Sequence, residues 1–299
     1  MTQKTFILIV MIVAAFFFFA PGAAQQLDHR DDYRMNSVSG GSFRDYVTNN
    51  IEEDDQWARS MRKLGTFHNL MHEMMSDLAR YGELKGEEDL VPDFGVRISG
   101  GTWEQYRKTK EEAEVESDWH DFVRITEIMH DRVHHVMYNT LVYDNESRDR
   151  GLDMDDYTGD RPVYSSEQVL PDPWDVSVTT ISQDDFRELV WHNNFEEVHL
   201  HSALQKMQVF SEMMNDLMDI WARYASRLED EACWPPDHEG QMTGPEWERY
   251  SKRVMMCRND HWRDMVRSVN LMHNRISHMN YMIVRYLNEN DMIPADFIN

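Results

Sequence analysis

The chain has 299 residues, of which 41% are hydrophobic and 11% aromatic, and this composition is typical of a globular protein and too apolar for a disordered one. Its formal net charge of -24 argues against nucleic-acid and anionic-membrane partners, since binding to either depends on Lys and Arg. A basic partner, or solubility at high concentration, fits this charge better.

The first segment predicts a secretory signal peptide over residues 1–24. One lysine precedes an apolar run over residues 6–20, and the small residues Gly22 and Ala24 follow where a signal peptidase would cut. The run is too short for a durable membrane span, and no later segment approaches the roughly 18 apolar residues that a span needs. We therefore expect an exported protein that begins near Gln25 and has no membrane span; a signal anchor is the alternative.

The rest of the chain contains the same pattern twice, because residue n matches residue n+143 along both halves. The matches keep their order and include one slip of a single residue, which composition alone does not produce. They predict a helical domain over residues 40–145 and a second over 182–299, joined by an acidic linker over 146–181 that contains Pro and Gly. Matched pairs include Phe43 with Phe186, Lys63 with Lys206, Phe67 with Phe210, Trp103 with Trp247 and Trp119 with Trp262.

Both copies are predicted to be helical, because apolar residues recur at spacings of three and four while alternation of period two is scarce. In the second copy the spacing predicts a first helical segment over about 186–229. A second segment carries one apolar stripe through residues 269–286, and Thr243 with Pro245 marks its start: a capping residue, then Pro in the first turn. The expected fold is all-α, with two tandem helical-bundle domains after the signal peptide.

Histidines are concentrated in the stretch "MHDRVHHVMY", residues 129–138, which returns as "MHNRISHMNY" at residues 272–281. His130 and His134 are i,i+4 neighbours, a spacing that can place two imidazoles on one metal ion. The second copy, however, has Ser277 where the first has His134. Metal binding from this pair is therefore the weaker interpretation.

The histidine pairs retained in both copies are His130 with His135 and His273 with His278. Their i,i+5 spacing places the two rings about 140° apart around a helix, so they cannot hold one ion within it. We expect a packing or titrating role for them, with no metal and no cofactor. The matched residues expected in the interior or at an interface are Trp103, Trp119, Met129, His130, Arg132, His135, Tyr138, Trp247, Trp262, Met272, His273, Arg275, His278 and Tyr281.

Two covalent features are expected. Cys233 and Cys257 are the two cysteines of the chain, and in an exported protein we expect a disulfide that closes a loop of 25 residues. Such a loop is worth roughly 3 kcal/mol, and two separate thiols are the alternative. Asn145 begins a glycosylation sequon, which is typical of an exposed connector.

No catalytic constellation is found in the sequence, so we expect no enzyme. Acidic clusters such as 52–55 and 111–116 lack the apolar setting that would raise the pKa of a general acid, and they are typical of a solvated face. A phosphate loop, a nucleophile elbow and a zinc signature are absent from the sequence. The 22 methionines are typical of flexible core filler, with an adaptable binding surface as the alternative.

Two stretches of the second copy resemble the gastropod sperm lysins. "SALQKMQVFSEMMNDLMDIWARYASRL", residues 202–228, is similar to their opening helical region, with an Ala-Leu, a Gln-apolar pair and a Trp-x-Arg. Residues 275–297 are similar to their terminal helix, which runs through Arg-Ile and a tyrosine into Met-Ile-Pro, here Met292–Pro294. His261 and Trp262 also resemble a His-Trp pair of lysin, at a different distance from that end.

The resemblance implies a compact all-α bundle released from the sperm acrosome. It also implies a protein that opens the egg vitelline envelope without cleaving bonds, by binding envelope glycoproteins, and that works partly through dimers. Lysins are strongly basic, whereas this chain has 54 acidic and 30 basic residues. The rows of Arg and Lys residues that help lysins engage the envelope therefore cannot be assigned to positions of this sequence.

Three functions are therefore expected, in descending order. The first is a lysin-like protein that binds an egg-coat glycoprotein without catalysis, and the second is an acidic partner or packaging protein for basic sperm proteins. The third is an exported, histidine-rich metal-binding protein. Pairing between the two domains of one chain is also expected, because a tandem duplication joins them at high effective concentration.

Overall fold

A computed structural model describes residues 37–51, 55–114, 117–158, 179–193, 195–238 and 240–294. Every regular element within these ranges is helical, which confirms the predicted all-α class. No helix within the described ranges is both long and apolar enough to cross a membrane. The predicted signal peptide lies outside the described residues, as does the middle of the predicted linker, residues 159–178.

Each half is built from two units, and each unit is a short helix followed by a long one. A π-helical turn, Glu83–Glu87, follows the first long helix, and 3-10 turns lie at Glu231–Cys233 and Val254–Met256. The α-helices in chain order are α1 (Gly40–Asn50), α2 (Gln56–Gly82), α3 (Gly100–Glu112), α4 (Asp118–Ser147), the single turn α5 (Asp155–Thr158), α6 (Gln183–His192), α7 (Val198–Ala225), α8 (Gly244–Arg253) and α9 (Asp260–Glu289).

The helix pattern of the first half recurs in the second, because α1 to α4 return as α6 to α9 with starts shifted by 142 to 144 residues. Individual hydrogen bonds recur as well. The indole N–H of Trp103 donates to the Val123 carbonyl at 3.1 Å, and that of Trp247 donates to the Val266 carbonyl at 3.2 Å. The duplication inferred from the sequence matches therefore extends to buried hydrogen bonds.

The two halves pack into one another rather than side by side. The most extensive helix contacts in the described chain join α2 to its counterpart α7 and α4 to its counterpart α9. The described residues form one compact unit. The expected arrangement of two tandem bundle domains is not confirmed, because the apolar face of each long helix is covered mainly by the equivalent helix of the other half.

Contacts between the halves are reciprocal, as in a two-fold symmetric dimer. The rings of Tyr81 and Tyr286 lie 6.3 Å apart between centroids, and so do the rings of Tyr143 and Tyr224. Tyr224 is the counterpart of Tyr81, and Tyr286 is the counterpart of Tyr143. Each half therefore presents the same surface to the other.

Both helical segments predicted for the second copy are interrupted. The segment over 186–229 consists of α6 and α7, and the carboxylate of Glu197 caps α7 by accepting from the Leu200 N–H at 2.6 Å. The segment over 243–286 consists of α8 and α9, with Asn259 as the N-cap of α9. The sequence did not reveal the break between α6 and α7 or the break between α8 and α9. Apolar periodicity indicates which face of a helix is buried, but it does not indicate where the backbone hydrogen bonding stops.

The sulfur atoms of Cys233 and Cys257 are joined in a disulfide. It connects the 3-10 turn after α7 to the chain that enters α9. The hydroxyl of Tyr250 donates to the Cys233 carbonyl at 2.7 Å and accepts from the indole N–H of Trp262, also at 2.7 Å. The disulfide therefore adjoins a buried hydrogen-bond chain that includes one of the predicted interior tryptophans.

Asn145, at which the predicted glycosylation sequon begins, lies half-buried in the last turn of α4. Its amide nitrogen donates to the Leu152 carbonyl at 2.9 Å, and its amide oxygen accepts from the Leu152 N–H at 3.0 Å. The side chain therefore fixes the turn that follows the helix.

Candidate functional site

Four buried histidines converge between α2 and α4, and we call them the histidine cluster. His68 and His72 are i,i+4 neighbours on α2, and His130 and His134 are i,i+4 neighbours on α4. Within each pair the two Nε2 atoms lie 3.1 Å apart. Between the helices, the ring centroids of His68 and His134 lie 4.8 Å apart, and those of His72 and His130 lie 5.1 Å apart.

Two backbone carbonyls fix the orientation of two of these rings. The Nδ1 atom of His72 lies 2.9 Å from the Ile98 carbonyl oxygen, and that of His134 lies 2.6 Å from the Val38 carbonyl oxygen. A carbonyl oxygen can only accept, so both Nδ1 atoms carry hydrogen. In a neutral ring the lone pair then lies on Nε2, which faces the other histidines of the cluster.

The other two rings are packed against glycines at the first positions of α1 and α3. A Cβ atom on Gly40 would lie 2.1 Å from Cε1 of His68, and one on Gly100 would lie 2.3 Å from Cε1 of His130. Any side chain at either position would collide with the imidazole. The same Ser-Gly-Gly tripeptide, at residues 39–41 and 99–101, therefore allows both rings to approach a helix N-terminus.

Burial keeps His68, His72 and His134 neutral at physiological pH. It lowers the pKa of His68 to about 2, that of His72 to about 4 and that of His134 to about 3, and neighbouring imidazoles act in the same direction. Ring nitrogens of these three histidines lie within 4.8 Å of one another. Neutral imidazoles that converge in this way are a donor set for zinc, copper or nickel ions.

The second half lacks the cluster. At the equivalent positions it has Ser211, Asn215, His273 and Ser277, so a single histidine remains. These residues line a cleft of about 450 Å³, where uncharged polar side chains replace three imidazoles. Gln183 stands in place of Gly40 and also lines the cleft. The two halves therefore have the same arrangement of helices but different side chains at this position.

Most of the predicted matched residues lie outside the cluster, and half of them belong to the second half of the chain. His130 is the one predicted residue that belongs to it. His135, Tyr138, His273, His278 and Tyr281 are half-buried. His278 is held by the Thr179 carbonyl, 2.7 Å from its Nδ1 atom. The buried members are Trp103, Trp119, Met129, His130, Arg132, Trp247, Trp262, Met272 and Arg275.

Sequence reasoning missed His68 and His72, although a signal for them was present. "HNLMH", residues 68–72, has the same i,i+4 histidine spacing as residues 130–134. Matching the two copies favoured residues retained in both, whereas the cluster belongs to the first copy alone. Spacing along one helix also gives no sign of the cluster, because two helices form it.

A second feature of the surface is Trp191, which is 74% exposed at the end of α6. It lies beside a recess of about 360 Å³ that is lined by His192, Asn193, His201 and Gln205. The first half has Thr48 in place of this tryptophan. An exposed tryptophan next to uncharged hydrogen-bonding groups is typical of a binding surface, because its indole offers a large rigid contact area.

No protein-family model matches the chain, and neither a curated protein nor a solved structure does. The resemblance to sperm lysins therefore depends on residues 202–228 and 275–297. In the structure most of these residues lie on α7 and α9, the two long helices of the second half, which contact each other.

Proposed function

We propose that this protein is an exported, lysin-like sperm protein that binds an egg-coat glycoprotein without catalysis. Its two lysin-like segments form the pair of long helices in the second half, and these two helices contact each other. Export is inferred from the predicted signal peptide, and an acrosomal location is inferred from the resemblance.

The observation that carries this proposal is the exposed indole of Trp191 in the same half. Tryptophan is among the residues most enriched at binding hot spots, so an indole that is 74% exposed favours a contact with a partner. The adjacent side chains of His201 and Gln205 are hydrogen-bonded to each other at 3.0 Å and are polar without formal charge. A glycoprotein offers both apolar sugar faces and hydroxyl groups to such a surface.

The packing of the two halves also supports the proposal. The resemblance implies that lysins work partly through dimers, and here the reciprocal contacts of α2 with α7 and of α4 with α9 join two copies in one chain. A covalent link keeps both copies together at any dilution, because the second contact becomes intramolecular. One chain would then be the counterpart of a lysin dimer.

The net charge of -24 favours a second candidate function, an acidic partner for basic sperm proteins. Carboxylates such as those of Asp184 and Asp260 are 88% and 69% exposed, and a cationic partner would compete for them with Arg187 and Arg263, to which they are paired. Association of this kind is electrostatic and weakens as salt rises, whereas contacts made by an aromatic surface persist.

The test is binding of the purified mature protein to isolated egg envelopes and to a basic sperm lysin, at low and at physiological salt. The first function predicts envelope binding that survives physiological salt and is lost in Trp191→Ala. The matched control is Val96→Ala, which removes an 88% exposed apolar side chain from the first half and should leave binding unchanged. Lysin binding that disappears with salt would support the second function, and binding to neither would refute both.

A further inference from the structure

The histidine cluster has a hydrogen-bonding conflict that a cation would resolve. Nδ1 of His130 lies 3.1 Å from the carboxylate of Asp131, and a carboxylate accepts, so this Nδ1 carries hydrogen. Nδ1 of His134 donates to the Val38 carbonyl. In their neutral forms both rings then direct Nε2 lone pairs at each other across 3.1 Å, and such an arrangement is repulsive unless a positive charge lies between them.

The spacing of the ring nitrogens suits a tetrahedral zinc site. A Zn–N bond of about 2.0–2.1 Å places neighbouring ligand nitrogens about 3.3 Å apart. The Nε2 atoms of each i,i+4 pair are separated by 3.1 Å, close to that value. Across the helices, ligand atoms of His68, His72 and His134 lie within 4.8 Å of one another, so small side-chain rotations would bring them to one ion.

The surroundings provide the outer partners that metal-binding histidines need. Ligating imidazoles usually donate their second N–H to a carbonyl or a carboxylate, which fixes the tautomer and the ring orientation. His72 donates to the Ile98 carbonyl, His134 to the Val38 carbonyl and His130 to the Asp131 carboxylate. Three of the four rings are therefore oriented with Nε2 toward the centre of the cluster.

We propose that His68, His72, His130 and His134 bind one Zn²⁺ ion between α2 and α4. The site is independent of the egg-coat function, and the two can fail separately. Its structural role would be to join the two helices of the first half, as the disulfide between Cys233 and Cys257 fastens the second half. The half without the disulfide would then be the half with the metal.

The test uses the full mature chain, stripped with a chelator and dialysed into metal-free buffer. Isothermal titration with Zn²⁺, together with elemental analysis after gel filtration, should give one ion per chain. X-ray absorption of the loaded protein should show a nitrogen shell of imidazoles and no sulfur. Co²⁺ in place of Zn²⁺ should give the visible absorption bands of tetrahedral coordination.

The second half supplies the matched variant. His68→Ser, His72→Asn and His134→Ser together introduce the residues that the second half has at these positions, in a backbone of the same form. Zn²⁺ affinity should fall by more than about 100-fold, since loss of an outer partner alone costs about 10- to 100-fold. His273→Ala, which alters the equivalent position outside the cluster, should leave affinity unchanged. Helical circular dichroism verifies folding of each variant.

Two outcomes would overturn the proposal. The first is that the wild-type chain binds no more Zn²⁺ than the triple variant does. This result would mean that each histidine pair shares a proton and does not bind a metal ion. The second is stoichiometric Zn²⁺ binding that survives in the folded triple variant and is lost in His273→Ala, which would place the ion elsewhere.

Discussion

The rings of Phe67 and Phe210, which are equivalent residues of the two halves, pack edge to face with centroids 4.1 Å apart. Both side chains are fully buried. A residue that contacts its own counterpart lies near the axis that relates the two copies. The interface between α2 and α7 is therefore centred on this pair, and the stability of either half depends on it.

Phe67→Ala or Phe210→Ala is expected to lower the free energy of unfolding by about 3–5 kcal/mol, because each leaves a cavity in the shared core. The double variant should lose less than the sum, since both changes open the same cavity. Urea unfolding followed by circular dichroism measures these losses. Val209→Ala, at a 41% exposed neighbouring position, is the control and should change the free energy by less than about 0.5 kcal/mol.

The same experiment tests whether the halves unfold together. The described residues of both halves form one compact unit, so a single unfolding transition is expected for the wild-type chain and for each variant. Two transitions, of which Phe67→Ala shifts only one, would mean that the halves are independent domains.

Local features of the fold could be predicted from the sequence, whereas the packing of the halves could not. The start of α8 is an example: Thr243 was identified as its cap, and the Glu246 carboxylate accepts from the Thr243 N–H at 2.8 Å. Such signals depend on residues a few positions apart. That α2 packs on α7 depends on which of several apolar faces meet, and hydrophobic periodicity does not distinguish between them.

The histidine cluster was missed for the same reason. The i,i+4 spacing of His130 and His134 was recognised, but their partners His68 and His72 lie on another helix and 62 residues earlier in the chain. Only the packing of α2 against α4 brings the pairs together. Gly40 and Gly100 are understood only in the folded chain, where the rings of His68 and His130 fill the space of a side chain.

A buried polar cluster in the first half gives the next prediction. The carboxylate of Asp144 is fully buried and accepts from the Tyr46 hydroxyl at 2.9 Å, the Trp57 indole N–H at 2.7 Å and Nε of Arg150 at 2.6 Å. Burial, with the Asp144 carboxylate next in order, raises the pKa of Tyr46. Asp144→Leu would leave these donors unpaired, so we expect a loss of about 3–5 kcal/mol in the free energy of unfolding.

The second half again supplies the control, because it has leucine at all three positions equivalent to Tyr46, Trp57 and Asp144. The triple variant Tyr46→Leu, Trp57→Leu, Asp144→Leu removes the hydroxyl and the indole that the single variant leaves unpaired. It should therefore be more stable than Asp144→Leu alone. A triple variant that is less stable than the single one would contradict this account. Thermal and urea unfolding of the two variants make the comparison.

Removal of the disulfide is expected to destabilise the whole chain. Cys233 and Cys257 are 24 residues apart in sequence, and release of a loop of this size costs about 3 kcal/mol through the entropy of the unfolded chain. Cys233→Ser with Cys257→Ser should therefore lower the urea midpoint, and a reducing agent should do the same to the wild-type chain. A reducing agent that lowers the urea midpoint of the wild-type chain but not that of the double variant would show that the loss of stability comes from the disulfide. An equal shift in the double variant would contradict this.

The depressed pKa values of His68, His72 and His134 predict loss of stability in acid. The ordinary pKa of a histidine is 6.5, whereas that of His72 is lowered to about 4 and that of His134 to about 3. As pH falls below 6.5 the unfolded chain therefore takes up protons that the folded chain does not. The stabilisation is fully present above pH 6.5 and is lost toward pH 4, by about 3 kcal/mol for His72 alone.

Free energies of unfolding measured between pH 7.5 and 4 in the presence of a chelator test this pH dependence directly, with about half a pH unit between points. Carboxylates also contribute in this range, so the comparison is with the variant His68→Ser, His72→Asn, His134→Ser, which keeps every carboxylate. Its free energy should fall less steeply below pH 6.5 than that of the wild type. Equal slopes would mean that these histidines take up protons in the folded chain as readily as in the unfolded chain, and that result would contradict their depressed pKa values.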